Sequence, residues 1–448
     1  MNLNDLFLKG IEMHHITNTA YPLTPSSFMK YKLRDGKQIH QLLIKDMEKL
    51  DALALYAHVP FCQHRCKFCE YAVVSGADAQ FKDEYTDKML REMDMYAEIA
   101  GDKRVLGFDI GGGTPTQLSV KQLERIANHA RRRFPFDPRT EMSIETTPVI
   151  AANEGEKIAA LYEMGFRRIS MGIQTIDAAL LTSFEREGGV KLYDSAMGQI
   201  RRAGFEKFNV DLMYGFLHQS RQDFLATLHY TIAARPEYIT LYRNRYKGTK
   251  IAEEAQDVTL GMVNRQYEAA YEALTAAGYL ASYGKNTFSR IPGDYGTSDY
   301  LTGRVMDGLP YLGFGLGAQS FGHQYLAYNE GAAAKALGGY FKKLDAGEFP
   351  LQDIYNLPLE EAIAKMVSVA FYFGFLDLGR FEWRFGVDFT AHFRDEINFL
   401  QQRGLITFEG GKMVVTKAGV DQIGGVIPMF YSQMSREELL NKTATAFV

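Results

Sequence analysis

Between residues 51 and 250 short β-rich runs alternate with amphipathic helical stretches, and this alternation constrains the fold more than any other feature of the chain. Strands are expected over 53–59, 105–110, 141–146, 168–173, 208–213 and 238–242. Helices are expected over 83–99, 120–134, 156–164, 192–203, 222–233 and 262–277. Ser119 is placed to N-cap the helix over 120–134, and Gly165 and Gly204 follow their helices where a C′ glycine belongs. Six β-α units at a spacing of roughly 30 residues dictate a parallel sheet with right-handed crossovers. A doubly wound sheet and a partial or full β/α barrel both satisfy this pattern, and in either one functional residues belong at the C-terminal strand ends.

The strand ends meet that expectation. Cys62 follows the first strand, Gly111-Gly112-Gly113-Thr114-Pro115 the second, and Glu145 closes the third. Gln174 closes the fourth, Asp211 lies in the fifth, and the segment Tyr242 to Arg245 ends the sixth. Six polar or glycine-rich interruptions in a row describe a lined site.

All 3 cysteines of the 448-residue chain fall in one C-x3-C-x2-C loop, Cys62, Cys66 and Cys69. Such a concentration of soft ligands builds a metal site; cysteines whose role is packing scatter along a chain. Three thiolates hold three corners of a [4Fe–4S] cluster and leave the fourth iron open. Zinc is the alternative, with His64 as a fourth ligand inside the loop.

Composition excludes several classes of function. Lys plus Arg number 50 against 54 Asp plus Glu, a net charge of −4, which argues against a broad nucleic-acid-binding face. The run Arg131-Arg132-Arg133 reads as a solvated helix end favoured by the macrodipole. No apolar stretch reaches the roughly 20 residues of a membrane helix. The first residues carry no secretory signal pattern, and clustered free thiols suit a reducing compartment, so a cytoplasmic location is expected.

Among the motifs, the triple glycine fails the dinucleotide and P-loop spacings but allows close backbone approach to a ligand. Glu145 and Asp211 are suited to a ribose or an ammonium group, or to capping a neighbouring helix. Gln174 has no capping preference to explain it. Arg186 reads from sequence alone as a surface charge, and Asp109 as structural. His58, four residues before the first cysteine, suits a hydrogen bond in the loop or a proton transfer. His14, His15 and His323 have no partner at a ligand spacing. Gly313-Phe314-Gly315-Leu316-Gly317-Ala318 is suited to close approach to a ligand. Helices over 359–372 and 389–403 followed by a hairpin over 405–416 suggest a winged-helix-like module spanning 350–448. Residues 1–48 read as an extension that wraps the barrel, and 49–330 as the main domain.

The ordered motifs Tyr-x-His-x-Pro-Phe-Cys-x3-Cys-x-Phe-Cys (56–69), Gly-Gly-Gly-Thr-Pro-Thr (111–116), Ser-Ile-Glu (143–145), Ser-Met-Gly-Ile-Gln (170–174), Asn-Val-Asp-Leu-Met-Tyr-Gly (209–215) and Gly-Phe-Gly-Leu-Gly-Ala-Gln-Ser (313–320) carry a resemblance. It is to the radical S-adenosylmethionine superfamily, and within it to the oxygen-independent coproporphyrinogen III oxidase-like family. The resemblance implies an α/β fold, a partial (β/α)6 TIM-like barrel, with a C-terminal helical, winged-helix-like domain.

Cys62, Cys66 and Cys69 would then hold a [4Fe–4S] cluster that chelates S-adenosylmethionine. Tyr56, Gly112, Gly113, Glu145, Gln174, Arg186 and Asp211 fall where that cofactor is bound, and Tyr56 and His58 beside the chemistry. Phe68, Thr114, Arg245 and Gln319 fall where relatives hold a second S-adenosylmethionine. True coproporphyrinogen oxidases carry a further cysteine two residues past the third, where this chain has Tyr71.

The reaction expected first is therefore methylation or alkylation of a carbon in an aromatic or conjugated small molecule. Decarboxylation or rearrangement of a tetrapyrrole and heme chaperoning are the alternatives. Flavodoxin or ferredoxin is the expected electron donor, and neither nucleic acid nor membrane is expected as a partner.

Overall fold

The computed structural model describes residues 2–442 apart from 15, 18–20 and 24. Six parallel strands pair in chain order: Ala52–Val59, Arg104–Gly112, Met142–Thr146, Phe166–Gln174, Lys207–Tyr214 and Tyr238–Arg243. Helices Ala79–Ala100, Val120–Arg133, Gly155–Glu163, Val190–Arg202, Arg221–Ala234 and Leu260–Ala276 follow them in turn. A seventh strand, Tyr311–Phe314, pairs parallel to the free side of the first. Antiparallel strands Gln319–Phe321, Tyr325–Asn329 and Leu351–Asn356 extend that side, and Thr287–Ser289 ends the other. The two end strands do not pair, so the sheet is the partial barrel expected from the sequence.

Local signals were legible. Ser119 forms a capping box with Gln122, and Gly165 and Gly204 adopt left-handed φ of 97° and 96° behind their helices. Arg131, Arg132 and Arg133 occupy the last helical turn, where Arg131 donates to the Met164 carbonyl at 2.9 Å.

The two faces of the barrel strands differ. Phe108, Ile110, Ile144, Ile169, Met171, Phe208, Val210 and Leu241 are buried beneath the helices. Alternate positions carry Asp109, Ser143, Glu145, Arg168, Ser170, Asn209, Asp211 and Thr240, which bond or face one another across the interior. Parallel strands buried on both sides usually read as unbroken apolar runs, and barrel interiors as packed branched side chains. Here period-two alternation makes the interior polar.

The C-terminal part carries a three-stranded antiparallel sheet, with Lys412–Val415 between Phe375–Asp377 and Ile406–Glu409. Helices Leu378–Phe385 and Arg394–Gln402 pack with it around Phe381, Phe389 and Leu400. The strand Phe375–Asp377 was not foreseen, being only three residues long. The helix expected over 389–403 breaks at Phe393, whose φ of −111° lets its ring pack edge-on against Phe430.

The N-terminal segment spans the other two parts. Helix Leu3–Glu12 packs on helices Ile423–Val426 and Gln433–Leu440, and helix Gly36–Met47 packs on Ala79–Ala100. Close approach at the first contact depends on small residues: a Cβ on Gly425 would stand 2.6 Å from the Phe7 ring. No helix among the described residues is long and apolar enough to cross a membrane.

Candidate active site

A cavity of about 500 Å³ opens at the C-terminal ends of the parallel strands. The loop after the first strand brings Cys62, Cys66, Phe68 and Cys69 to it, and the strand itself contributes Tyr56. Thr114 Oγ1 lies 3.4 Å from Cys62 Sγ, and Arg186 points a guanidinium nitrogen at Cys66 Sγ from 3.5 Å. Arg186 therefore belongs to the cavity wall and not to the solvated surface that its type suggests. The Arg65 side chain closes the loop on itself by donating to the Cys69 carbonyl at 2.7 Å.

Burial pushes the Cys62 thiol up to about 11 and raises that of Cys69 as well. Such thiols give up their protons to a metal and not to water. Among the described residues no three His, Cys, Asp or Glu side chains stand close enough to hold a single ion. Soft donors ringing one end of a cavity fit a polynuclear cluster.

Beside the cysteines the second strand ends in the triple glycine. Gly112 has a φ of 121°, and a Cβ there would stand 2.7 Å from the His58 ring. Only glycine fits, so backbone amides line the cavity with no side chain in the way. The Gly112 amide donates to Glu145 Oε2 at 3.1 Å. Burial pushes the Glu145 carboxyl up to about 8, with Asp211 adding to the shift. Asp211 is also raised by burial, against Arg168 and the Asn209 and Ser170 hydrogen bonds, which oppose the shift. Two carboxyl groups held this way suit a cationic ligand, whose charge restores ionisation.

Gln174 adopts a left-handed φ of 66° at the end of its strand, a conformation an L-residue holds only under constraint. Its Oε1 is buried without a hydrogen-bond partner, as is Arg186 Nε. Buried polar atoms of this kind mark where a polar ligand belongs.

Most expected site residues converge here: Tyr56, Phe68, Gly112, Gly113, Thr114, Glu145, Gln174, Arg186, Asp211 and Arg245 all line the cavity with the three cysteines. Two do not. His58 lies behind Gly112, its Nδ1 3.5 Å from the Tyr56 hydroxyl. Burial lowers it to about 4, so it is a neutral imidazole and supports the glycine loop from below. Gln319 is held away from the cavity by hydrogen bonds from Tyr311 and to Tyr328, the latter at 2.8 Å. The glycine-rich segment around it packs closely against protein. Gly315 donates to buried Glu92 at 2.8 Å, and a Cβ on it would stand 2.5 Å from the His58 carbonyl oxygen.

Tyr71 and Tyr242, both singled out in the sequence, stand in the cavity, Tyr71 53% exposed. Other lining residues escaped the sequence reading. Phe371, Tyr372, Ile423 and Ile427 come from the C-terminal part, and His14 and Thr17 from the N-terminal segment. His14, which has no ligand spacing in sequence, accepts from Arg243 at 2.7 Å, and Arg245 pairs with Glu70. None of these contacts leaves a local sequence signal, because each joins segments far apart in the chain.

Comparison with known proteins agrees with this geometry. The family model of the Radical SAM superfamily matches residues 56–231, and that of the HemN C-terminal domain matches 375–421. The oxygen-independent coproporphyrinogen III oxidase of Helicobacter pylori is 27% identical over 388 residues, 82% of this chain and 83% of that protein. The heme chaperone HemW of Buchnera aphidicola is 27% identical over 197 residues, 44% of this chain and 52% of that protein. The solved coproporphyrinogen III oxidase (HemN) from Escherichia coli superposes with a TM-score of 0.74 at 24% identity, over 88% of this chain and 93% of that one, a likeness of fold. Cysteine loop, glycine turn and C-terminal module thus occur together and in order, and the chain carries a radical S-adenosylmethionine domain joined to a HemN C-terminal domain, similar along its length to oxygen-independent coproporphyrinogen III oxidases.

Proposed function

We propose that this radical S-adenosylmethionine enzyme acts on a tetrapyrrole-class substrate bearing carboxylate side chains, by oxidative decarboxylation or a related oxidation. One observation carries the reading. The cavity that holds the three thiols continues to a wall of Tyr242, Arg243, Arg245 and Tyr372, aromatic faces beside guanidinium groups. Planar guanidinium pairs carboxylates bidentately, and aromatic rings cover a flat conjugated body. Named relatives are coproporphyrinogen III oxidases, and coproporphyrinogen carries carboxylate side chains and pyrrole rings that such a wall could meet.

The family's cofactors fit the residues present. Cys62, Cys66 and Cys69 would hold the [4Fe–4S] cluster, and Tyr56, Gly112, Gly113, Glu145, Gln174, Arg186 and Asp211, which line the same cavity, would surround S-adenosylmethionine. When bound, these groups supply a 5′-deoxyadenosyl radical, which removes a hydrogen atom from the substrate. The chain's own residues do the rest. Glu145 and Asp211 offer oxygens to cationic and hydroxyl groups, and Gln174 offers its unpartnered Oε1. Arg245 exchanges Glu70 for a substrate carboxylate. Phe371, Ile423 and Ile427 close the cavity with apolar surface, which keeps water and stray C–H bonds from a reactive carbon centre. A reduced flavodoxin or ferredoxin is the proposed electron source, in the reducing environment of the cytoplasm.

Carbon alkylation with a second S-adenosylmethionine is the second reading, and Tyr71 favours it. That phenol occupies the cavity where the oxidases carry a cysteine. Phe68, Thr114 and Arg245 are at hand for the second molecule, while Gln319 is not. Anaerobic turnover of the reconstituted, reduced enzyme with coproporphyrinogen III separates the readings. Deoxyadenosine with carbon dioxide supports decarboxylation; S-adenosylhomocysteine with a methylated product supports alkylation. Stoichiometric hemin binding without any turnover would sink both and favour a heme chaperone.

A further inference from the structure

Two cavities lie at opposite ends of the polar barrel interior. Below the site, at the N-terminal strand ends, a second cavity of about 380 Å³ is lined by Glu141, Arg168, Lys207, Ser298, Asp299 and Thr302. Arg168 lines it, yet its charge acts on both Glu145 and Asp211, which line the upper cavity. Asp109 sits between: Ser298 Oγ of the lower cavity donates to its Oδ2 at 2.5 Å. Asn209 Nδ2 continues the polar layer to Ser170 and Asp211, both at 2.7 Å, and Thr240 donates to Asn209 at 2.8 Å. Asp109 Oδ1 and Arg168 Nε are buried with no hydrogen-bond partner. A structural barrel core would bury branched apolar side chains in these positions.

Three carboxyl groups, Glu145, Asp211 and Asp109, share the Arg168 guanidinium inside the barrel, and Arg304 also acts on Asp109. If all three ionised they would outnumber these guanidiniums, so the cluster retains protons before a cation binds. Burial raises all three, Asp109 to about 7. The remaining charged neighbours do not alter this balance. Asp299 opposes ionisation of Asp109 while Arg304 favours it, Lys207 is paired with Glu141 at 2.5 Å, and Tyr56 and Tyr242 are neutral phenols raised further by burial.

We infer that binding of the cationic cofactor at Glu145 and Asp211 expels a proton from this carboxyl cluster, and that the proton leaves through Asp109 and the Ser298 hydroxyl to the cavity at the barrel floor. This rests on the reading that Glu145 and Asp211 bind S-adenosylmethionine. One carboxyl O–H bond breaks, the proton passes to solvent buffer, and no electron moves. The floor route matters because cofactor and substrate fill the mouth.

The test is calorimetric titration of S-adenosylmethionine into the anaerobic reconstituted enzyme near neutral pH, in two buffers of different ionisation enthalpy. The heats should differ by about one released proton per cofactor bound. Binding with equal heats in both buffers overturns the inference and leaves the cofactor reading standing; absence of binding overturns both. The route is tested by stopped-flow with a pH indicator. Ser298→Ala and Asp109→Asn should slow proton release several-fold with little change in affinity, and Ser298→Thr, which keeps the hydroxyl, should restore the rate. An unchanged rate in Ser298→Ala overturns the floor route.

Discussion

The thiols, the glycine turn and the carboxylates each carry a separable job, and single substitutions separate them. Cys62→Ala, Cys66→Ala and Cys69→Ala should each lose most bound iron and sulfide after anaerobic reconstitution, whereas Tyr71→Phe should retain both. Loss of the cluster in Tyr71→Phe would make that residue part of the ligand shell. Glu145→Gln removes a charge-assisted contact of about 1.5–3 kcal/mol, so equilibrium dialysis should show S-adenosylmethionine binding weakened roughly tenfold to hundredfold. Gly112→Ala forces a Cβ toward the His58 ring at a φ only glycine accepts. It should cost at least about 1 kcal/mol in chemical denaturation and impair cofactor binding. Gly112 was visible in sequence as a glycine, but that His58 is what it must clear was not.

At the scale of elements, a buried carboxyl ties the barrel to the sheet extension. Glu92, on helix Ala79–Ala100, accepts from the Gly315 amide at 2.8 Å, Asn329 Nδ2 at 2.7 Å and the Tyr340 hydroxyl at 2.6 Å. Burial pushes its pKa from 4.5 up to about 7. The unfolded chain releases this proton before the folded one does. Its contribution is therefore fully present below about pH 4.5 and lost as pH rises toward 7. Urea denaturation across that window should show wild type losing stability relative to Glu92→Gln, with the difference constant above it. A pH-independent difference would mean that Glu92 is ionised throughout. Nothing in the local sequence marks Glu92, since it lies in an amphipathic helix among ordinary surface acids.

The whole molecule is built so that three separated stretches of chain share one cavity. His14 and Thr17 reach it from the N-terminal segment, and Phe371, Ile423 and Ile427 from the C-terminal part. Those two parts hold each other through helix Leu3–Glu12, where Leu6 is fully buried. Leu6→Ala should cost about 2–5 kcal/mol, read as a lowered thermal midpoint. Calorimetry should show the barrel and the terminal parts melting together; a separate early transition would mean that the termini dock weakly.

The sequence by itself determined the alternation of strands and helices, the caps that bound them, and the three-cysteine loop at the first strand end. These are local signals: period, spacing and residue type act within a few neighbours. Tertiary structure alone decided which polar residues share the cavity. It brought Arg186 to Cys66, turned Gln319 away toward Tyr311 and Tyr328, and set Arg168 beneath Glu145 and Asp211. Strand order and the inward face of each strand fix these pairings, and both come from burying apolar surface between sheet and helices over long separations in the chain.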